Sequence, residues 1–146
     1  MKTNKGKAKL IYPELSYRVV GILYDVYNQL GSGYQEKYYQ RAVAKALKDG
    51  DIAYKREKCV PLEFRGQGIG RHFVDFEIEG KILLELKTTN QILPKDVKQV
   101  LMYLHSTGLP LGIVAVFTRD KLVYKRVLNR DALSSVCDDS GTISED

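Results

Sequence analysis

The stretch that decides the fold is Asp75-Phe76-Glu77-Ile78-Glu79-Gly80-Lys81-Ile82-Leu83-Leu84-Glu85-Leu86-Lys87, which reads as two strands joined by a turn. Side chains in a strand alternate between the two faces of the sheet. The second strand therefore has an apolar face and a mixed face, which carry Ile82, Leu84 and Leu86, and Leu83, Glu85 and Lys87, respectively. A three-residue turn at 79–81 predicts that Asp75 lies directly opposite Glu85. A two-residue turn would instead place Asp75 opposite Leu84, because a slip of one residue exchanges the faces.

Two acidic side chains that face each other across a strand pair destabilise the sheet. A divalent cation between Asp75 and Glu85 would reverse that penalty. The alternative is that Glu85 and Lys87 belong to a solvated strand edge and that Asp75 only aids solubility near a turn. Chemistry at this place therefore requires further residues that converge on it.

The predicted order of elements is two helices, three strands, one helix and two strands. Apolar spacing and Gly/Pro signals place the helices at 14–30, 35–48 and 94–106, and the strands at 53–64, 73–78, 82–87, 111–117 and 121–128. The last strand is predicted to lie at an edge. Residues 65–70 contain three glycines and are predicted to be a hairpin loop, because they do not lead from a strand into a helix as a phosphate-binding loop would. A meander of strands followed by a helical crossover predicts an α/β fold with a central mixed β-sheet flanked by helices.

The composition restricts the classes of protein. A chain of 146 residues suits one domain, expected at 13–130, and no apolar run is long enough to span a membrane. Cys59 and Cys137 make no metal-binding pattern and are expected to be free thiols in a reducing compartment such as the cytoplasm. His72 and His105 are isolated, which argues against zinc and favours a metal with oxygen ligands.

The charge is unevenly distributed. The net charge is +5, but residues 131–146 hold five acidic and no basic side chains, which leaves 23 basic and 13 acidic side chains, a net of +10, in the first 130 residues. A basic body suits a polyanion such as nucleic acid, although a basic protein need not bind one. Residues 1–12 are predicted to be a flexible basic arm and residues 131–146 a disordered acidic tail.

Two predicted helices carry further candidate residues. Glu36 shares the buried face of the second helix with Tyr39 and Val43, but an acid in a first turn also complements the helix dipole. Gln99 and Tyr103 lie one turn apart on one side of the third helix, where polar residues are also common at the boundary of a core. Together with the charged strand residues they form one candidate set: Glu36, Asp75, Glu85, Lys87, Gln99 and Tyr103.

This combination of residue types fits metal-dependent hydrolysis of phosphodiester bonds. Carboxylates bind Mg²⁺ or Mn²⁺ through oxygen, and the ion polarises the phosphoryl group and promotes deprotonation of a water. A lysine stabilises the charge that develops on the phosphate. A glutamine and a tyrosine orient the phosphate or the water by hydrogen bonds.

Three segments carry a resemblance to a known family. Asp75 followed by Glu85-Leu86-Lys87 resembles the signature of the PD-(D/E)XK nuclease superfamily, and Gln99-Val100-Leu101-Met102-Tyr103 is similar to the Gln-x-x-x-Tyr motif of its RecB-like exonuclease branch. Gly33-Tyr34-Gln35-Glu36-Lys37-Tyr38-Tyr39 resembles the motif of the GxxExxY proteins, a small family within that superfamily.

The resemblance spans roughly residues 12 to 130 and implies a restriction-endonuclease-like core. It implies that Asp75 and Glu85 bind the metal with the backbone carbonyl of Leu86, and that Glu36, the helix carboxylate, is a further metal ligand. It also implies that Lys87 is the catalytic lysine and that Gln99 and Tyr103 are accessory residues.

Two hypotheses follow. The first is a Mg²⁺-dependent nuclease that acts on nucleic acid, with DNA as the preferred class and with a homodimer as one means of cutting both strands. The second is a non-catalytic module on the same fold that binds nucleic acid or protein, because 146 residues leave little room for a separate target-recognition domain. No membrane partner is expected under either hypothesis.

Overall fold

The structure is a computed structural model that describes residues 11–132. It contains three helices and five strands within that range: α1 (Pro13–Leu30), α2 (Glu36–Asp49), β1 (Tyr54–Phe64), β2 (Gln67–Ile78), β3 (Ile82–Lys87), α3 (Pro94–Thr107), β4 (Leu111–Phe117) and β5 (Leu122–Leu128). The predicted arm at 1–12 and tail at 131–146 lie outside the described residues, except for positions 11, 12, 131 and 132. Cys59 is an exposed free thiol, and Cys137 lies outside the described range. Between residues 11 and 132, no helix is long and apolar enough to cross a membrane.

The strands form one mixed sheet in the order β1-β2-β3-β4-β5. Only β3 and β4 are parallel, because α3 carries the chain back between them, and the other neighbours are antiparallel. The predicted order of elements, the α/β class and the mixed sheet are confirmed, and β5 lies at an edge as predicted.

The helices cover both faces of the sheet and define two apolar cores. Ile82, Leu84 and Leu86 point into the core under α1 and α2, whereas Leu83 points into the core under α3. The alternation that was predicted for β3 is therefore confirmed. The mixed face of β3, with Glu85 and Lys87, is the side on which α3 packs.

The turn between β2 and β3 has the predicted three residues. Phe76 pairs with Leu84 and Ile78 pairs with Ile82, and this register places Asp75 level with Glu85. Glu79 and Gly80 have φ angles of 56° and 66°, and Glu79 also exchanges two hydrogen bonds with the backbone of Ala53, of 2.9 and 3.0 Å. These contacts fix the length and the shape of the turn.

The predicted glycine loop at 65–70 was wrong in extent. The turn contains only Arg65 and Gly66, whose φ angles of 52° and 79° match the twist of a two-residue hairpin, and β2 already begins at Gln67. Gly68 and Gly70 are strand residues beside an irregularity in the register at Leu62–Glu63. A glycine-rich segment predicts a loop from sequence, but glycine is also usual where a strand bulges.

Close packing fixes α3 on the sheet. A Cβ atom at Gly112 of β4 would lie 2.6 Å from Cγ1 of Val100, so only glycine lets the helix approach this closely. Val100 and Leu104 of α3 are fully buried in the same core. The contact therefore sets the position from which Gln99 and Tyr103 reach the mixed face of β3.

Candidate active site

The site begins where the regular pairing of β2 and β3 ends. Beyond Phe76 and Leu84, hydrogen bonds from backbone amides to side-chain carboxylates replace the backbone–backbone hydrogen bonds between the strands. The amide of Asp75 donates to Oε1 of Glu85 (3.1 Å), and the amide of Leu86 donates to Oδ2 of Asp75 (2.7 Å). Each carboxylate is thus held by the opposite strand. The two predicted metal-binding acids lie side by side at a fixed place in the sheet.

A twist in β2 gives the Asp75 side chain its direction. Val74 packs in the core under α3 and Phe76 in the core under α1 and α2, although residues two apart in a regular strand share a face. The neighbouring strand is distorted at the same level, where Glu57 has a φ angle of 52°. The change of face therefore falls at Asp75, and its carboxylate reaches along the sheet to the backbone of β3.

Burial disfavours the ionised form of both carboxylates when no metal is bound. Desolvation raises the pKa of Asp75 to about 6, with the charge of Glu36 adding to the rise and the amide of Leu86 opposing it. Desolvation and the charge of Asp75 raise the pKa of Glu85 to about 7, while Lys87 opposes the rise. The site thus holds excess negative charge in a poorly hydrated place, which a cation would relieve.

Glu36 joins the site through a glutamine that the sequence did not single out. Nε2 of Gln40 donates to Oε2 of Glu36 (3.3 Å) and to Oδ1 of Asp75 (3.0 Å), and Oε1 of Gln40 accepts from Arg56 (3.3 Å). Burial raises the pKa of Glu36, against opposing contributions from Lys87 and Gln40. The signal that could have found Gln40 is its position one helical turn after Glu36, on the same side of α2.

Tyr39 anchors the helix turn that presents Glu36. Its ring is fully buried and stacks on Phe117 with a centroid distance of 4.1 Å, and its hydroxyl donates to the carbonyl of Gly31 (2.5 Å). Gly33, with a φ angle of 100°, supplies the bend before α2 that other residues rarely adopt. The glycine and tyrosine of the Gly-x-x-Glu-x-x-Tyr segment therefore position its glutamate.

Lys87 is held from the α3 side. Its amine lies 3.7 Å from Oδ1 of Asp96 and donates to Oε1 of Gln99 at 3.5 Å. The other oxygen of Asp96 accepts from the amide of Leu93 (2.9 Å), so one buried carboxylate caps the helix and orients the lysine. Sequence reasoning missed Asp96, although an acid in the first turn of a helix that begins with proline was a usable signal.

Tyr103 closes the α3 side of the site. Its side chain is buried, and its ring lies 5.5 Å from that of His72 on β2. Burial, followed by the charges of Glu85 and Asp75, raises the pKa of Tyr103 to about 12, and a hydrogen bond with Gln99 opposes the rise. The hydroxyl therefore stays protonated and can act as a donor near the carboxylates.

The structure brings all six predicted residues to one place. Strands supply Asp75, Glu85 and Lys87, α2 supplies Glu36, and α3 supplies Gln99 and Tyr103. Their catalytic roles stay predictions.

The donor set suits a hard divalent cation, but it is small. No group of three or more His, Cys, Asp or Glu side chains within residues 11–132 is gathered so as to hold a metal. Two further ligands are predicted beside Asp75 and Glu85: the backbone carbonyl of Leu86, and Glu36, which is linked to Asp75 through Gln40. Two carboxylates and a carbonyl are oxygen donors of the type that Mg²⁺ and Mn²⁺ prefer, and Mg²⁺ commonly uses only one or two carboxylates.

The fold is a mixed sheet with helices on both faces, and the regular pairing of its central strands ends at Asp75 and at the strand that carries Glu85 and Lys87. These features define the restriction-endonuclease-like class of nuclease folds. The profile of the PD-(D/E)XK nuclease superfamily matches residues 13–127, and the chain belongs to that superfamily. Members of this superfamily are typically nucleases that use divalent metals.

One solved structure supports the fold, and a second is a weaker match. The protein SSO0001 is 18% identical with a TM-score of 0.52, and the match covers 71% of this chain and 56% of that one. The alkaline exonuclease LHK-Exo from Laribacter hongkongensis is 15% identical with a TM-score of 0.48, over 68% of this chain and 58% of that one. This chain thus spans little more than half the length of either protein. No curated protein matches the chain.

Proposed function

We propose that the chain is a nuclease that hydrolyses phosphodiester bonds of DNA with Mg²⁺ or Mn²⁺ as its metal. The observation that carries this proposal is the pair of hydrogen bonds that hold Asp75 and Glu85 side by side, each with a raised pKa. A protein gains no stability from two adjacent buried acids, so their presence calls for a ligand of opposite charge. Membership of the PD-(D/E)XK superfamily supports the same conclusion.

Asp75, Glu85 and the carbonyl of Leu86 would hold the ion, and Gln40 keeps Glu36 within reach of the same place. When bound, a divalent cation supplies positive charge to the phosphoryl group and makes a water easier to deprotonate. Gln40 donates to both Glu36 and Asp75, so it would hold the two carboxylates together with or without the ion. The amide of Leu86 keeps Asp75 from leaving the site.

Lys87 provides the fixed positive charge of the site. Asp96 and Gln99 hold its amine on the α3 side, where it can donate to a phosphate oxygen as negative charge develops. Tyr103 remains a hydrogen-bond donor at neutral pH because its pKa is raised to about 12. These two residues therefore orient the phosphate, and Tyr103 does not act as the general base.

Two finer assignments belong to the same proposal. We propose that the chain belongs to the GxxExxY family; the support is the segment Gly33–Tyr39, in which the glycine and the tyrosine hold the helix turn that presents Glu36. A single site of this size cuts one strand at a time, so cleavage of both strands of a duplex would require two chains, which sedimentation at several protein concentrations tests.

The direct test is cleavage of single-stranded and double-stranded DNA, and of RNA, with Mg²⁺, with Mn²⁺ and with a chelator. We expect metal-dependent cleavage of DNA by the wild type. Glu85→Gln and Lys87→Gln should each lower the rate on the order of a hundredfold or more. Glu14→Gln is the matched control, because Glu14 is an exposed acid in the first turn of α1, at the opposite end of that helix from the site.

A wild type that cleaves none of these substrates, but binds DNA equally well with and without chelator, would favour the non-catalytic module. Equal activity of Glu85→Gln and wild type would show that cleavage arises elsewhere or from a contaminant.

A further inference from the structure

The hairpin of β1 and β2 extends far beyond the core. Toward the hairpin turn, the fully buried residues end at Val60 in β1 and at Val74 in β2. Every residue from 61 to 73 is exposed except Leu62, which is half-buried. We call residues 61–73 the ribbon. An isolated two-stranded ribbon is only marginally stable in water, so one that lies free of the core calls for an explanation.

The ribbon projects past the candidate active site. β2 is antiparallel to β3, so the residues that precede Asp75 run beyond the Lys87 end of β3. At about 3.3 Å per residue, Arg71 lies roughly 13 Å from Asp75 along the strand and the turn at Gly66 roughly 30 Å. A long ligand bound at Asp75 and Lys87 is therefore within reach of the ribbon.

The side chains of the ribbon suit a polyanion that also offers apolar contacts, as the major groove does with its thymine methyl groups. Phe64, Ile69 and Phe73 are 57%, 64% and 54% exposed. The guanidinium of Arg65 lies 4.9 Å from the ring centroid of Phe64, and that of Arg71 lies 6.0 Å from that of Phe73. Neither guanidinium forms an ion pair with a carboxylate of residues 11–132. Both arginines are therefore available for phosphate groups.

Gly68 leaves part of the ribbon backbone uncovered. A Cβ atom there would meet nothing within 4 Å, and the backbone of Gly68 does not adopt a conformation that requires glycine. Glycine is usual where a strand is irregular, as this hairpin is at Leu62–Glu63, and no side chain of the molecule covers Gly68. Its absence of a side chain leaves the strand backbone open to close approach by another molecule.

We infer that the ribbon is a DNA-binding arm that enters the major groove of duplex DNA beside the strand held at the active site. This inference rests on the proposed nuclease function and names its substrate class as B-form duplex DNA. The major groove is about 12 Å wide and admits a two-stranded ribbon, whereas the major groove of an RNA duplex is too narrow for side chains to read. A second copy of the chain fits less well, because each ribbon carries two arginines and only one acidic residue, Glu63, so two ribbons have like net charge.

The test is fluorescence anisotropy of a 24-base-pair DNA duplex, of the matching RNA duplex and of single-stranded DNA, in chelator so that nothing is cleaved. The variant is Arg65→Gln with Arg71→Gln. Its matched control is Lys45→Gln with Lys48→Gln, which removes the same charge from the far end of α2. We expect the ribbon variant to bind duplex DNA about tenfold more weakly, with a salt slope smaller by about two, and the control to stay within about twofold of the wild type.

A second variant removes the apolar side chains and keeps the charge. Phe64→Ser with Ile69→Ser should weaken duplex DNA binding severalfold and leave the salt slope unchanged, with RNA duplex binding hardly affected. Urea denaturation of each variant shows whether the fold is intact, since the exposed substitutions leave both cores untouched.

Each result decides the inference. A wild type that binds and cleaves DNA, with ribbon variants that match it, would overturn the arm and leave the nuclease proposal standing. A wild type that neither binds nor cleaves any nucleic acid would overturn both. An equal loss on RNA and DNA duplexes would overturn the groove assignment. Ribbon variants that turn a dimer into a monomer without changing DNA affinity would show that the ribbon binds a second chain.

Discussion

Replacement of Glu85 by glutamine should make the metal-free protein more stable at pH 8. The carboxylate is largely buried beside Asp75, and its pKa is raised from an ordinary value of 4.5 to about 7. At about 1.4 kcal/mol per pKa unit, ionisation of Glu85 costs the folded state about 3 kcal/mol at a pH above both values. Glutamine removes that charge and keeps the oxygen that accepts from the amide of Asp75.

The sign of the pH dependence follows from the direction of the shift. A raised pKa means that the folded state holds the proton more tightly than the unfolded chain. The stabilisation by that proton is fully present below 4.5 and is lost as the pH rises through about 7. The increase in the free energy of unfolding on Glu85→Gln should therefore be small at pH 5 and about 1–3 kcal/mol at pH 8. The lower end of this range applies if water near the site screens the charge of Glu85.

The assay is urea denaturation between pH 5 and pH 8.5 in chelator. Far-ultraviolet circular dichroism is the readout, because the chain has no Trp. Glu14→Gln is the control and should change the free energy of unfolding by less than about 0.5 kcal/mol at either pH. Mg²⁺ at ten times its Kd should stabilise the wild type by about 1.4 kcal/mol and stabilise Glu85→Gln much less. A destabilised Glu85→Gln at pH 8, or an equal effect at pH 5 and pH 8, would refute the account of the site as a strained pair of acids.

Three further changes probe the surroundings of the site. Asp96→Asn keeps an acceptor for the amide of Leu93 but loses the charge that holds Lys87, so the cleavage rate should fall about tenfold at nearly unchanged stability. Asp96→Ala also removes the acceptor, so its free energy of unfolding, measured by urea denaturation, should fall by about 1 kcal/mol as well. Gln40→Ala releases Glu36 and should raise the Mg²⁺ concentration for half-maximal cleavage about tenfold, measured by metal titration of the rate. Gly112→Ala forces α3 away from β4 and should lower the free energy of unfolding by about 1–3 kcal/mol. An unchanged midpoint of urea denaturation would mean that α3 can move to make room for the methyl group without loss of stability.

Local patterns explain how much of the fold was predictable. The alternation in β3 and the three-residue turn fixed the pairing of β2 with β3, and the position of Asp75 opposite Glu85 followed from them. The residues of Gly33–Tyr39 act within one turn of α2, so their spacing carried the information. Gln99 and Tyr103 were placed on one side of α3 by helical spacing alone.

The missed features depend on contacts between distant parts of the chain. Gln40 reads as an ordinary polar helix residue until β2 is folded against α2 and presents Asp75 to it. Asp96 orients Lys87 only because α3 crosses over the end of β3. The sequence did not predict the ribbon, because its glycines are typical of a loop. No local pattern shows whether a hairpin packs on a core or extends into solvent.

The turn at 79–81 has a consequence for related chains. It lies about five residues, or roughly 17 Å, from Asp75, and its side chains take no part in the chemistry. Its length alone decides which residue of β2 stands level with Glu85. An insertion or deletion of one residue there would move Asp75 out of line with Glu85 while every residue of the candidate site stays in the sequence. The number of residues in this turn is therefore the feature to compare when related chains are sorted into those with and without an intact pair of acids.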